Sequence, residues 1–247
     1  MAAAFSRPRG AFLLAVGMAF VLLATWEGLW NGLGVLYPDI GEYVYPRVPM
    51  WRLILQHLLL VGVSSTLSIL VGVGLGILVT RSFGRDFLHA VNSLVSVGQT
   101  FPPVAVLALA VPAVGFGAEP TIIALFLYGL LPIVRGTIAG LESVGPDIRE
   151  SAKGMGMTEL QSLVRVEMPL ASGVIMAGIK TSVVINIGTA TIGATIGAGG
   201  LGAPIITGLA ADNPAFILQG SVMAALFAIL ADGLLDFVGA SRRTEAV

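Results

Sequence analysis

The hydrophobic pattern of the chain consists of long segments without Asp, Glu, Lys or Arg, separated by short polar stretches. Most of these segments approach the roughly 20 residues that a helix needs to cross about 30 Å of hydrocarbon. The Leu-, Val-, Ala- and Gly-rich segments lack the alternation of apolar and polar residues that outer-membrane β-strands show. The pattern therefore predicts an all-α membrane protein with about six spanning helices. The charge-free segments are residues 11–26, 53–80, 90–118, 120–134, 181–211 and 213–231.

The bounds of the six helices follow from these segments and from the Gly- and Pro-rich stretches between them. One domain, residues 1–247, is expected to hold them all. A break in the third helix is expected at Pro102 and Pro103 because proline removes a backbone donor. Glycines four residues apart, such as Gly72 with Gly76, Gly136 with Gly140 and Gly193 with Gly197, predict close helix packing. The predicted helices are 11–30, 51–79, 88–112, 119–136, 172–194 and 215–239, with a Gly-rich outer stretch before the last.

Composition supports a membrane protein. Of 247 residues, 56% are hydrophobic and 11% are charged, whereas a soluble domain has about 25% charged residues. Cysteine is absent, which excludes disulfides and thiol chemistry.

The basic residues are unevenly distributed between the two sides of the predicted membrane. If the N-terminus is cytosolic, eleven of the 13 lysines and arginines lie on the inner side, and Arg47 and Arg52 lie outside. By the positive-inside rule, both termini are then cytosolic. Arg7 and Arg9 before an apolar run could also begin a secretory signal, but no A-x-A cleavage site follows, so a retained helix is favoured.

Enzyme motifs are missing from the sequence. His57 and His89 are the only histidines and form no zinc motif, and there is neither a nucleophile elbow nor a Walker A sequence. "GAGGLG" at 197–202 matches the dinucleotide fingerprint, but it lacks the strand–turn–helix context that the fingerprint requires. We therefore expect no catalytic residue, metal or cofactor in this chain, and no nucleic-acid partner.

One patterned polar stretch, residues 150–169, interrupts the apolar sequence on the predicted cytosolic side. Gly145 and Pro146 are typical of a helix start, and Gly156, with an inferred positive φ, follows Gly154 where that helix should end. A loop that only connects two spanning helices would need neither a helix start nor a glycine that ends a helix.

A second short helix is predicted after the glycines. Thr158 and Gln161 form a capping-box pattern. Pro169 should end this helix. Its apolar side is Leu160, Leu163, Val164 and Met168.

The same stretch resembles a known motif. Glu150-Ser151-Ala152, then Gly156, then Val166-x-Met168-Pro169 is similar to the E-A-A-x(3)-G-x(9)-I-x-L-P loop of permease subunits of ABC importers. Three longer segments resemble permeases for osmoprotectants such as glycine betaine and choline. They are "VGQTFPPVAVLALAVPAVGFG" at 97–117, "AKGMGM" at 152–157 and "INIGTATIGATIGAGGLGAPIITGL" at 185–209.

The resemblance implies a type I ABC importer permease fold, with a core at about 51–240 and a cytosolic coupling loop at about 142–169. It also implies a place in the bacterial inner membrane. The implied partners are a second permease, identical or homologous, an extracytoplasmic solute-binding protein and ABC ATPase subunits that bind ATP and Mg²⁺.

Two groups of site residues follow from the resemblance and from the polar positions within apolar spans. The methionines of the first group could instead pack inward, and members of the second could serve a proline kink or hydrogen bonds between helices. The coupling group is Glu150, Ser151, Ala152, Gly154, Met155, Gly156, Met157, Leu160 and Pro169, and the translocation-path group is Gln99, Thr100, Phe101, Asn186 and Thr189.

Two alternative functions stay open at this point. Asp232 and Asp236 could indicate an ion-coupled secondary transporter or channel. However, they lie near Arg242 and Arg243, which favours pairing at the membrane interface. The chain could also be an ABC importer permease for another small solute.

Overall fold

The computed structural model describes residues 7–245, except for the side chains of residues 7–9, 238 and 240–245. All regular structure in this part of the chain is helical, as predicted. Short 3₁₀ segments occupy Gly32–Val35, Arg85–Phe87 and Thr191–Ile196. The α-helices are α1 (Arg7–Thr25), α2 (Glu27–Asn31), α3 (Met50–Thr80), α4 (Leu88–Thr100), α5 (Pro103–Val114), α6 (Ala118–Glu142), α7 (Pro146–Gly154), α8 (Glu159–Ser162), α9 (Met168–Ala190), α10 (Gly202–Ala210) and α11 (Pro214–Glu245).

Four helices in the described part are long and apolar enough to cross a membrane, and two bent pairs raise the number to six if each pair is one span. The pair around Pro102 and Pro103 bends by 95°, which confirms the predicted break. The prediction of one helix at 11–30 is wrong, since the chain bends by 84° at Trp26. Trp26 has an extended backbone, and Trp30 Nε1 donates to the Leu23 carbonyl at 2.8 Å, which holds α2 against α1.

Pro169 does not end the helix that contains it, contrary to the sequence prediction. A π turn, Leu163–Glu167, joins α8 to α9, so that a continuous helix runs from Glu159 to Ile196. The proline ring would clash with the carbonyl four residues earlier in a regular α-helix. A wider turn directly before Pro169 relieves that clash and lets the helix continue.

Contacts divide the chain into two compact units, of which the first comprises Met1–Val63, Pro103–Leu125 and Asn186–Gly233. Its core contains Trp30, Tyr45, Leu53, Leu201, Phe216 and Met223. The segment before α3 is tied to α11 because the Tyr45 amide donates to Gln219 Oε1 at 2.9 Å. The Asn213 side chain donates to the Glu42 carbonyl at 2.9 Å and also caps α11.

The Gly-rich stretch of the first unit folds over a buried histidine. His57 Nδ1 accepts from the Leu201 amide at 3.4 Å, and Nε2 lies 3.0 Å from the Ile187 carbonyl. The two contacts together require a neutral ring with its proton on Nε2. Gly199 and Gly200 have positive φ and approach Gln56 and His57 closely, so that "GAGGLG" is a structural turn. The stretch also contains α10, which was not predicted.

The second unit comprises Ser64–Pro102, Phe126–Ile185 and Leu234–Val247. Its helices pack closely against one another at glycines, as predicted for Gly72 and Gly136. A Cβ on Gly72 would lie 2.8 Å from the Ile133 side chain, and one on Gly136 would lie 3.0 Å from the Gly178 Cα. The same prediction is wrong for Gly197 of the first unit, which has positive φ and no atom within 4 Å of an added Cβ.

Candidate functional site

The candidate coupling helix is α7, and its start follows the predicted pattern. Gly145 precedes the helix with an extended ψ of 146°, and Pro146 is its first residue. Pro146 suits this position because the first amide of a helix has no partner within the helix. Asp147 lies in the first turn and Lys153 in the last, where the helix dipole favours each charge.

The end of α7 depends on Gly156. The Gly156 amide donates to the Lys153 carbonyl at 2.9 Å, and the Met157 amide donates to the Ala152 carbonyl at 3.1 Å. These two bonds define a Schellman motif, in which the residue after the cap adopts a left-handed conformation. Gly156 has φ of +78°, which confirms the positive φ inferred from sequence. Gly154 has an ordinary helical backbone and open space around it.

The capping box of the second short helix is also confirmed. Thr158 Oγ1 accepts from the Gln161 amide at 3.3 Å, and Gln161 Oε1 accepts from the Thr158 amide at 2.9 Å. The predicted apolar side is split between core and surface. Leu163 is buried against Leu141 and Ala171, whereas Leu160 is 69% exposed.

The coupling residues predicted from sequence all lie within the second unit, along one segment. Ala152 is buried and faces the protein, whereas Glu150, Ser151, Gly154 and Gly156 are exposed. Met155 is 69% exposed, which argues against the inward packing that was its alternative. Met157 and Pro169 are half-buried. The exposed apolar side chains of Met155 and Leu160 thus give this segment a surface suited to a protein partner.

A buried ion cluster that sequence analysis missed lies behind this segment. Glu167 Oε1 and Oε2 accept from Arg81 Nη1 and Nη2 at 3.0 and 2.8 Å. Arg149 Nε lies 3.4 Å from Glu167 Oε2, and Ser162 Oγ lies 3.3 Å from Oε1. The sequence signal for it was a glutamate at the boundary of an apolar helix, with one arginine directly after an apolar helix and another within the short polar helix.

The first three translocation-path residues lie at the end of α4. Gln99 Nε2 donates to the Tyr128 carbonyl at 2.7 Å, and Thr100 Oγ1 donates to the Val97 carbonyl at 2.8 Å. Phe101 follows α4 with an extended backbone and is 48% exposed. Gln99 thus contacts the backbone of α6 and Thr100 that of its own helix, whereas Phe101 offers an accessible aromatic ring.

The other two path residues belong to the first unit and lie on α9. Asn186 is fully buried. Thr189 is half-buried, three residues along the same helix. Burial fits the alternative role of Asn186 in hydrogen bonding between helices, and its role in a path stays a prediction.

One member of the acidic pair that suggested ion coupling forms an ion pair with a lysine. Asp236 Oδ1 accepts from Lys180 Nζ at 2.7 Å within the second unit. The expected pairing with Arg242 and Arg243 involves side chains outside the described part. A carboxylate paired with lysine at this distance is accounted for without ion transport.

Among the described residues, no group of three acidic or histidine side chains is arranged to hold a metal ion. The segment exposes the apolar side chains of Met155 and Leu160, and the buried ion cluster of Glu167 lies behind it.

Comparison with known proteins places the chain in a family. Residues 72–244 match the family described as binding-protein-dependent transport system inner membrane component. The osmoprotectant import permease protein OsmY of Salmonella typhimurium is 44% identical over 74% of this chain and 78% of its own length. The glycine betaine/carnitine/choline transport system permease protein OpuCD of Bacillus subtilis is 42% identical over 83% of this chain and 87% of its own.

The fold is shared with a solved transporter. A chain of the MetNI methionine ABC transporter, in an inward-facing crystal form, superposes with a TM-score of 0.68 over 82% of this chain and 100% of its own, at 21% identity. This likeness confirms the predicted type I importer permease fold. The chain belongs to the family of inner membrane components of binding-protein-dependent transport systems.

Proposed function

We propose that this chain is the translocation subunit of an ATP-driven importer for osmoprotectants such as glycine betaine, choline or related quaternary amines. The observation that carries the proposal is the segment Pro146–Pro169, in which a capped helix, a left-handed Gly156 and exposed apolar side chains follow the pattern of a coupling loop. Relatives more than 40% identical that are named as osmoprotectant permeases support the substrate class.

The ATPase is the partner proposed for this segment. Met155 and Leu160 are each 69% exposed, and burying both against a groove of the ATPase would stabilise the complex by removing apolar area from water. In this proposal the chain binds no cofactor and catalyses no reaction, since ATP and Mg²⁺ belong to the ATPase subunits. A second permease, identical or homologous, and an extracytoplasmic binding protein complete the complex.

The proposed orientation places both termini and the coupling segment in the cytosol. Arg81 then lies at the inner end of α3, and Arg149 and Lys153 lie on the cytosolic helix α7, as the positive-inside rule requires. This orientation also gives the ATPase access to α7 from the compartment that contains ATP. The whole complex would reside in a bacterial cytoplasmic membrane.

The proposed path passes the solute without holding it tightly. Residues 90–118 and 181–211 carry no acidic side chain that would trap a cation. The exposed ring of Phe101 can attract a quaternary amine weakly. A weak site suits a transporter because a deep free-energy minimum along the path would slow release, so the binding protein is expected to set the affinity.

Reconstitution tests the proposal against ion-coupled transport. The complete complex in proteoliposomes should take up radiolabelled glycine betaine or choline only with internal ATP and binding protein, and uptake should survive a protonophore and the removal of sodium. Uptake that persists without ATP and collapses with the protonophore would overturn the proposal. Transport of another solute class under the same ATP dependence would refute the substrate while keeping the energy source.

A further inference from the structure

A single buried carboxylate connects several segments of the second unit. The side chain of Glu167 is 3% exposed, and each of its oxygens contacts two groups. Oε1 faces Arg81 Nη1 and Ser162 Oγ, and Oε2 faces Arg81 Nη2 and Arg149 Nε. We call Glu167 and these three partners the Glu167 cluster.

The members of the Glu167 cluster come from separate elements. Arg81 directly follows α3, Arg149 lies in α7, Ser162 ends α8, and Glu167 is the last residue of the π turn before α9. Arg149 Nη2 also donates to the Leu141 carbonyl near the end of α6. The candidate coupling helix is therefore joined through Arg149 to the ends of two long helices and to the start of a third.

The geometry and burial of the cluster distinguish it from the other ion pair of the segment. Lys153 and Glu159 are 3.8 Å apart and are 64% and 67% exposed, so their pairing contributes little. Arg81 instead donates two parallel hydrogen bonds to the buried carboxylate of Glu167. This arrangement fixes both the position and the orientation of the carboxylate. Removal of one partner from such a pair leaves an uncompensated buried charge.

We propose that Glu167 is a positioning residue for coupling, which makes α7, the end of α3 and the start of α9 move together. The inference rests on the proposed function, because it takes α7 as the helix on which the ATPase acts. When the ATPase displaces α7, the Arg149–Glu167 contact carries the displacement to the π turn, and the Arg81–Glu167 pair carries it to α3. Without the carboxylate, α7 moves on its own, and ATP is hydrolysed without transport.

Glu167→Gln tests this role in the complete complex. The amide has the shape of the carboxylate, but its NH₂ group cannot accept a bond from a guanidinium. Glu142→Gln is the matched control, since Glu142 is an exposed glutamate at the end of α6. We expect Glu167→Gln to keep the ATPase bound and hydrolysing, while the ATP consumed per solute imported rises about tenfold, the factor expected from losing one charge-assisted hydrogen bond. The control should match the wild type.

A distance measurement separates positioning from general stability. The chain has no cysteine, so cysteines placed at exposed Asp147 of α7 and Leu170 of α9 can carry a pair of spin labels. The wild-type complex should give one narrow distance distribution with and without ATP. Glu167→Gln should broaden it.

Arg149→Gln provides the second variant should Glu167→Gln fail to assemble. It removes the link to α7 and keeps the bidentate Arg81–Glu167 pair, so it should assemble, uncouple and broaden the distance. Normal coupling with a narrow distance in either variant would overturn the proposal, as would failure of both variants to assemble, which would assign the cluster to folding alone. Absence of ATP-dependent uptake in the wild type would instead refute the proposed function, and the distance measurement would still test the cluster.

Discussion

Gly156 is the position in the coupling segment where the backbone conformation most restricts which amino acid can be present. Its φ of +78° is unfavourable for residues with a Cβ, and no atom lies within 4 Å of the place that a Cβ would occupy. Substitution therefore acts through backbone conformation and not through a clash. An L-residue in the left-handed region costs about 1–2 kcal/mol, and asparagine tolerates this region better than other residues do.

A graded series at this position uses that difference. We expect the population of the native turn to fall in the order Gly156, Gly156→Asn, Gly156→Ala, Gly156→Val, with Gly156→Val reduced by about 5- to 30-fold, the factor that 1–2 kcal/mol corresponds to. Uptake and the stimulation of ATP hydrolysis by solute-loaded binding protein should fall in the same order. Proteoliposomes that contain the complete complex allow both to be measured on one sample.

Gly154→Ala is the matched comparison, because Gly154 is helical and has open space around it. Alanine there should stabilise α7 by about 0.5–1 kcal/mol. Equal activity of Gly156→Val and the wild type, or an order that ignores tolerance of positive φ, would refute the conclusion that the left-handed turn is needed for coupling.

The remaining predictions concern the ATPase contact, the path and the histidine turn. Met155→Asp and Leu160→Asp should each reduce co-purification of the ATPase while membrane insertion stays normal, and unchanged recovery would mean that docking uses another surface. Phe101→Ala should lower the maximal uptake rate with little change in apparent affinity; a large change in affinity at constant maximal rate would instead place a substrate site in this chain. His57→Leu should lower the free energy of unfolding in detergent by about 2–4 kcal/mol, because two buried backbone groups lose a partner, whereas exposed His89→Leu should change it by less than about 0.5 kcal/mol. Equal midpoints for these two variants would contradict the stabilising role assigned to the two buried contacts of His57.

Features of this fold that depend on neighbouring residues were predictable from sequence. The capping box joins Thr158 to Gln161, and the left-handed turn at Gly156 joins residues within one short segment. In both, the side chain or the missing Cβ acts on the backbone beside it. The broken helix at Pro102 and Pro103 belongs to the same class, because proline acts on the turn that contains it.

Features that depend on distant residues were not predictable in the same way. Arg81 and Glu167 are 86 positions apart, and no local pattern connects them. The sequence also predicted that Pro169 ends a helix, whereas the π turn at Leu163–Glu167 relieves the clash that proline usually causes. The roles of Gln99, Thr100, Phe101, Asn186 and Thr189 in a path stay predictions.

The π turn at Leu163–Glu167 determines the direction in which the side chains of α8 point around the helix axis. Each residue of an α-helix advances the side chains by about 100°, so that a turn wide enough to hold an extra residue rotates everything before it relative to everything after it. On the far side, Ala171 and Ile175 face the interior, while Leu170 and Val174 face outward. Deleting Val166 would restore α-helical spacing and swing Leu160 through about 100° without moving α9. The number of residues in this one turn thus sets the direction in which the segment presents its apolar side chains. That direction is independent of how the long helix packs.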